Sequence, residues 1–216
     1  MFSPFVNLIF EGTLQTIYMV LVSGVLSVLG GVPLGIVLFI TRDNHILENA
    51  LCNRSLGMVV NVVRAIPFII LLIVLIPLTR LIVGSSIGPT AAIVPLSIGA
   101  IPFVARIVEN ALLEVNPGLI EAGQAMGASP LQIICKVLLP EAMPSIIQGV
   151  TVTWISLVGY SAMAGVVGAK GLGDIAVEYG RYRNEPVILW SSIALLIMLV
   201  YVIQYVGDWL ARRHTR

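Results

Sequence analysis

Four stretches of this chain run without a single charged side chain: residues 12–41, 81–105, 142–169 and 186–207. A helix rises 1.5 Å per residue, so about 20 apolar residues cover the ~30 Å hydrocarbon core of a bilayer, and each run is long enough. A fifth candidate, residues 55–79, is interrupted only by Arg64 and holds the run IPFIILLIVLIPL. Turn chemistry trims these limits. Gly84-Ser85-Ser86-Ile87-Gly88-Pro89 ends one helix and opens the next, because Gly-Pro does not propagate a helix. The pattern predicts an all-α polytopic membrane protein with five transmembrane helices, near residues 13–40, 56–80, 89–110, 141–168 and 187–210.

Composition agrees with that class. Of 216 residues, 58% are hydrophobic and 11% charged, against roughly 25% charged in a soluble domain. A net charge of +1 points to no nucleic-acid partner. The opening MFSPFVNLIFEGTLQ has no basic n-region and no small-residue cleavage pattern, so the first run is read as a permanent span. With the N-terminus outside, Arg42, Arg54, Arg64, Arg106, Lys136, Arg212, Arg213 and Arg216 fall inside, and Arg80, Lys170, Arg181 and Arg183 outside. That eight-to-four excess follows the positive-inside rule and places the C-terminus in the cytoplasm, with Trp209 and Arg212-Arg213 as an interfacial anchor. Cys52 and Cys135 both fall on the cytoplasmic side, where no structural disulfide is expected. Two Cys and two distant His make no zinc site. The chain reads as one domain over residues 1–216, with no internal repeat.

The informative segment is the inner connection, residues 117–140, which reads as two short helices joined at an angle. Asn116 caps the first, Pro117 occupies a position where a missing N–H costs nothing, and Gly127 ends it at positive φ. Ser129-Pro130 repeats the start signal, and Pro140 is expected to close the second helix. Leu131, Ile134, Cys135 and Leu138 fall at helical spacing and predict one apolar face. Ala122, Gly123, Ala125, Gly127 and Ala128 keep the first helix slim, so another surface can approach its backbone closely. Glu121, placed in the first turn, is favoured there by the helix dipole alone. Its small neighbours and the closing Leu139-Pro140 make docking into a groove of a cytoplasmic partner the better reading.

These residues resemble the EAA loop of ABC-importer permeases, whose pattern is Glu-Ala-Ala, three residues, Gly, nine residues, then Ile-x-Leu-Pro. Here the match is Glu121-Ala122-Gly123, Gly127 and Val137-Leu138-Leu139-Pro140, departing at Gly123 and Val137. Arg64-Ala65-Ile66-Pro67-Phe68, PLSIGAIPFVARIVENALLEV and GYSAMAGVVGAKGLG are similar to stretches of methionine-uptake permeases. The resemblance implies a permease subunit of the cytoplasmic (inner) membrane that carries an amino acid, methionine foremost, by alternating access. It also implies three partners: a second copy of the chain, two copies of an ABC ATPase, and a substrate-binding protein on the outer face. Glu121, Ala122, Gly123, Gly127, Leu139 and Pro140 would then couple to the ATPase. ATP and Mg belong to that subunit, and this chain carries no cofactor, no metal and no catalytic residue.

Candidate pathway residues follow from the fourth span. Gly159, Ser161, Ala162, Ala164, Gly165 and Gly168 strip bulk from its outer half around Tyr160 and Met163. Tight helix packing is the ordinary meaning of such a stretch; the functional one is a backbone exposed to a passing solute, with Tyr160, Ser161 and Met163 lining it. Arg64, read at the inner start of its span, either snorkels to the interface or lines the cytoplasmic mouth. Arg106 with Glu109 and Asn110 reads as a helix-end ion pair, and Trp154 as a core aromatic. Gly165–Gly171 lacks the Gly-Lys-Ser/Thr order of a phosphate loop. Ser161 has no base beside it, since His45 and His214 lie on the opposite face, so no enzyme is expected. The rival reading is a secondary transporter driven by an ion gradient, which would call for an intramembrane ionisable group or paired repeats. A channel would need a ring of carboxylates or a filter loop, and neither is legible.

Overall fold

The computed structural model describes residues 3–214, and every regular element among them is helical. The first helix, α1 (Ser3–Ile40), has 38 residues and so extends about 57 Å, starting ten residues ahead of the predicted span at 13–40. It packs along α5 (Pro89–Leu113), the most buried helix of the bundle, whose core residues run from Ala91 to Leu112. Glycines of α1 make this contact close. A Cβ on Gly31 would stand 2.5 Å from the Cβ of Val104. The spacing Gly31-x-x-x-Gly35 is the small-xxx-small signature of close helix pairs, and it is legible in the sequence.

The predicted helix over 56–80 is three. It divides into α2 (Ala50–Ala65), α3 (Phe68–Val74) and α4 (Ile76–Val83), with α2 and α3 bent by 106°. Pro67 is the cause: it offers no N–H to α2, and it drives Ile66 into extended backbone at φ −78°, ψ 123°. Among the described residues four helices are long and apolar enough to cross a membrane, and the count reaches five when the bent α2–α3 pair is taken as one broken span.

A second correction concerns Pro140, which closes nothing. The short α7 (Pro130–Ile133) runs through a π-turn at Ile134–Leu138 into α8 (Leu139–Ala164), giving 35 continuous helical residues from Pro130 to Ala164. In an α-helix the Pro140 ring would collide with the Lys136 carbonyl. The wider turn, in which the Leu139 N–H donates to the Ile134 carbonyl, absorbs that conflict just ahead of the proline. The fourth span is therefore continuous with the inner connection. Ile133, Ile134 and Leu138 are buried, whereas Leu131 and Cys135 are exposed, against the face expected from simple helical spacing.

The outer connection is helical as well. A wide turn at Gly165–Ala169 breaks at Gly168 (φ +98°), α9 (Leu172–Val177) follows, and a second wide turn spans Glu178–Tyr182. This segment is pinned to α1, because the Leu172 N–H donates to Thr16 Oγ1 at 2.9 Å and the Gly171 N–H to Gln15 Oε1 at 3.0 Å. Burial raises the Asp174 pKa, as does nearby Glu178, while Lys170 opposes them. The last helix, α10 (Pro186–His214), lies along α8 and ends with the Arg213 guanidinium 4.2 Å from the Trp209 ring. Arg216 lies outside the described residues.

Candidate functional site

The inner connection builds a projecting helix, α6 (Pro117–Ala125), on the stem formed by α7 and α8. Local chemistry starts and stops it. Asn116 Oδ1 accepts from the Gly118 N–H at 2.9 Å, and Pro117 takes the first helical position. At the other end Gly127 adopts φ +77°, its N–H donates to the Gln124 carbonyl, and the Ala128 N–H returns to Gly123. Ser129 then caps the next helix reciprocally with Gln132, whose Oε1 accepts from the Ser129 N–H at 2.8 Å. Buried beneath this unit are Phe39, Leu112, Ile133 and Leu138.

The six coupling candidates divide by exposure. Glu121 and Ala122 face outward on α6 together with Leu119, Gln124, Ala125 and Met126, the last 81% exposed. Glu121 is the fifth helical residue, beyond the first turn, so the dipole has little hold on it and the expected placement is corrected. Gly123 instead turns inward; a methyl there would touch Ile133 Cγ1 at 3.4 Å, which is ordinary contact and leaves room for alanine. Gly127 stands in open space. Leu139 is half-buried on the stem, and Pro140 is exposed beside it. Of the six, Glu121 and Ala122 therefore share the exposed face of α6 that is open to a partner.

A second exposed feature runs along α8. Val152, Ser156, Gly159, Met163 and Val166 recur at steps of four and three, and all are exposed, so one stripe of the helix is uncovered. Met163 is 41% exposed within it. Ser161, two positions away and so on the far side, is buried, and its hydroxyl donates to the Val158 carbonyl at 2.8 Å. It belongs to the interior packing, which corrects its expected place beside Met163. The bulk-poor outer half of α8 also serves α9: a Cβ on Gly165 would stand 2.6 Å from the Asp174 backbone nitrogen. Tight packing accounts for Gly165, and exposure for Gly159, which has nothing within 4 Å of its Cβ position.

Tyr160 and Arg64 line one recess at the α2–α3 bend. The Tyr160 ring stacks on Phe68 with centroids 4.7 Å apart and planes inclined by 15°. The Arg64 guanidinium lies 5.1 Å from the Phe103 ring centroid. These residues, with Ile66, Pro67 and Gly99, line a recess of about 200 Å³. Arg64 is thus in the last turn of α2, opposite the middle of α5, and not at the inner start of a span. Toward the inner end, Arg106 pairs with buried Glu109 on its own helix and donates to Asn61 Oδ1 at 3.0 Å, tying α2 to α5. The interruption at Pro67 was open to sequence reasoning, since the rule that separates residues 84–89 applies equally to Ile66-Pro67.

Residues 31–216 match the family described as binding-protein-dependent transport system inner membrane component. The chain is 55% identical over 207 residues to the probable D-methionine transport system permease protein of Vibrio cholerae, covering 96% of this chain and 92% of the relative. To the D-methionine transport system permease protein of Escherichia coli it is 51% identical over all 216 residues of both chains. Among solved structures, a chain from the inward-facing MetNI methionine ABC transporter superposes with a TM-score of 0.98 at 51% identity, with both chains covered completely. An amino acid ABC transporter with histidines shares the fold at 20% identity and a TM-score of 0.78, over 98% of this chain and 96% of that one. A helical bundle with an exposed coupling helix, several membrane-length apolar helices and full-length likeness to such permeases has one reading: the chain belongs to the family of binding-protein-dependent transport system inner membrane components.

Proposed function

We propose that this chain is the permease subunit of an ATP-binding-cassette importer and carries methionine across the cytoplasmic membrane as a homodimer. The observation that carries this reading is identity of 51% along the whole chain, with a TM-score of 0.98, to a chain of the inward-facing MetNI methionine transporter. An ion-gradient-driven transporter is not favoured by membership of a binding-protein-dependent family.

The mechanism follows from two surfaces. The exposed face of α6, with Glu121 and Ala122, docks on a cytoplasmic ATPase that binds ATP and Mg; one ATPase serves each copy. Gly127 and the Ser129 capping box hold α6 at a set angle to the stem, so movement of α6 is passed to α8 without a flexible joint. The uncovered α8 stripe faces the pathway between two copies, and Met163 meets its own counterpart near the two-fold axis, narrowing the passage in the inward-open state. Tyr160 and Arg64 line the recess alongside. The N-terminus lies outside and the C-terminus inside, so a substrate-binding protein delivers its cargo to the surface built by α9 and the turns around it.

The test is reconstitution. In liposomes, the chain with its ATPase and binding protein takes up methionine when ATP is supplied, whereas the purified chain alone accumulates none under an imposed ion gradient. Concentrative uptake by the chain alone would restore the ion-gradient reading.

A further inference from the structure

Among the described residues, no carboxylate lies within ion-pair distance of Arg64, and its guanidinium makes no hydrogen bond; its contact is the Phe103 face. Phe103 sits about 21 Å from the start of α5 and about 15 Å from its end, counted at 1.5 Å per residue. Arg64 is therefore near mid-bundle, and it is exposed. An unpaired guanidinium at that depth is costly against lipid and belongs in a watered cavity or beside an anion.

The bend beside it supplies the opposite polarity. Pro67 has no N–H, Ile66 donates back to the Val63 carbonyl, and no backbone N–H among the described residues bonds to the carbonyls of Arg64 or Ala65. Those free carbonyls close the negative end of the α2 dipole, where cations are favoured. The rest of the recess is apolar or aromatic: Phe68 stacked with Tyr160, Phe103, Leu71 and the bare backbone of Gly99. One cation, two free carbonyls and an apolar wall within about 200 Å³ complement a small zwitterion with an apolar side chain. A phosphate fits poorly, because its second negative charge would meet the carbonyls.

We propose that the recess at the α2–α3 bend is a transit site for the amino acid, in which Arg64 binds the α-carboxylate and the end of α2 faces the ammonium. This rests on the methionine-import reading, of which it is the chemical detail inside the membrane. A guanidinium there ranks amino acids above neutral solutes of the same bulk, because a carboxylate takes two parallel N–H donors.

The test uses the assembled permease–ATPase complex without its binding protein, in detergent, with radiolabelled methionine at millimolar concentration. The wild-type complex should retain methionine, and unlabelled methionine should displace it at least tenfold better than methioninol, which lacks the carboxylate. Arg64→Gln should lower retention and uptake at least tenfold in complexes that assemble as the wild type does, and Arg64→Lys should recover part of both. Equal displacement by methioninol, or no retention by the wild-type complex, overturns the site without using any variant. Full uptake by an assembled Arg64→Gln complex also overturns it and leaves methionine import standing. Failure of the wild-type complex with its binding protein to import methionine at all would instead remove the reading beneath.

Discussion

Gly35 of α1 lies against the Ala105 carbonyl of α5, so close that a Cβ on it would stand 2.5 Å from that oxygen. The obstacle is backbone and cannot rotate away. Gly35→Ala should therefore push α1 off α5 and destabilise the bundle by about 1–3 kcal/mol, the usual range for overpacking. Gly159→Ala is the matched control, since nothing stands within 4 Å of its Cβ position and α8 gains a better helix former. Thermal unfolding in detergent should separate the two variants. Equal stability would mean that the α1–α5 contact yields more readily than its geometry indicates.

Gly127 presents a conformational problem with no crowding attached. Its φ is +77° in open space, so Gly127→Val costs roughly 1–2 kcal/mol locally by the left-handed backbone alone. We expect weaker ATPase association or coupling with membrane insertion intact, and a milder effect from Gly127→Asn, which tolerates that region. Co-purification with the ATPase measures this. Normal complexes and normal uptake in the valine variant would remove the rigid-joint argument.

Met163→Ala tests the narrowing on α8. Because Met163 is 41% exposed, truncation leaves the protomer's packing largely untouched. Basal ATP turnover or methionine leakage should rise, with assembly unchanged. If stability falls by 2–5 kcal/mol and leakage does not move, Met163 is a packing residue and Tyr160 becomes the next candidate.

The α1–α2 connection should be sensitive to pH. His45 stacks at a tilt on Phe39 with centroids 4.5 Å apart, and burial, then Arg42, lowers its pKa below 6.5. The charged form is thus disfavoured in the folded chain. Above about 6.5 the ring is neutral in both states and has no effect; as pH falls through that value the unfolded state binds the proton first and stability declines. Wild type should lose more thermal stability between pH 7.5 and 5.5 than His45→Gln does. Parallel losses in the two proteins would assign the pH response to other groups.

Five spans, the inner connection and its turn points are legible in the sequence because each rests on local chemistry. Lipid offers no partner for charge, so charge-free runs of sufficient length mark spans whatever their neighbours are. Asn116, Gly127 and Ser129 announce their roles through their own side chains or lack of one, and the structure places a cap, a positive φ and a reciprocal capping box at those positions. Tertiary structure decided what depends on a neighbour. Pro140 ought to end a helix, yet a π-turn absorbs it and the helix runs on unbroken from Pro130 to Ala164. Ser161 and Met163 are equivalent in a list of fourth-span residues, but packing on one side of α8 buries the first and leaves the second uncovered. Arg64 looks like a residue at the mouth of a span until the bend at Pro67 sets it against Phe103, at the middle of α5. The physical difference is range: caps, turns and span length arise within a few residues, while facing and depth exist only once a second helix is in place.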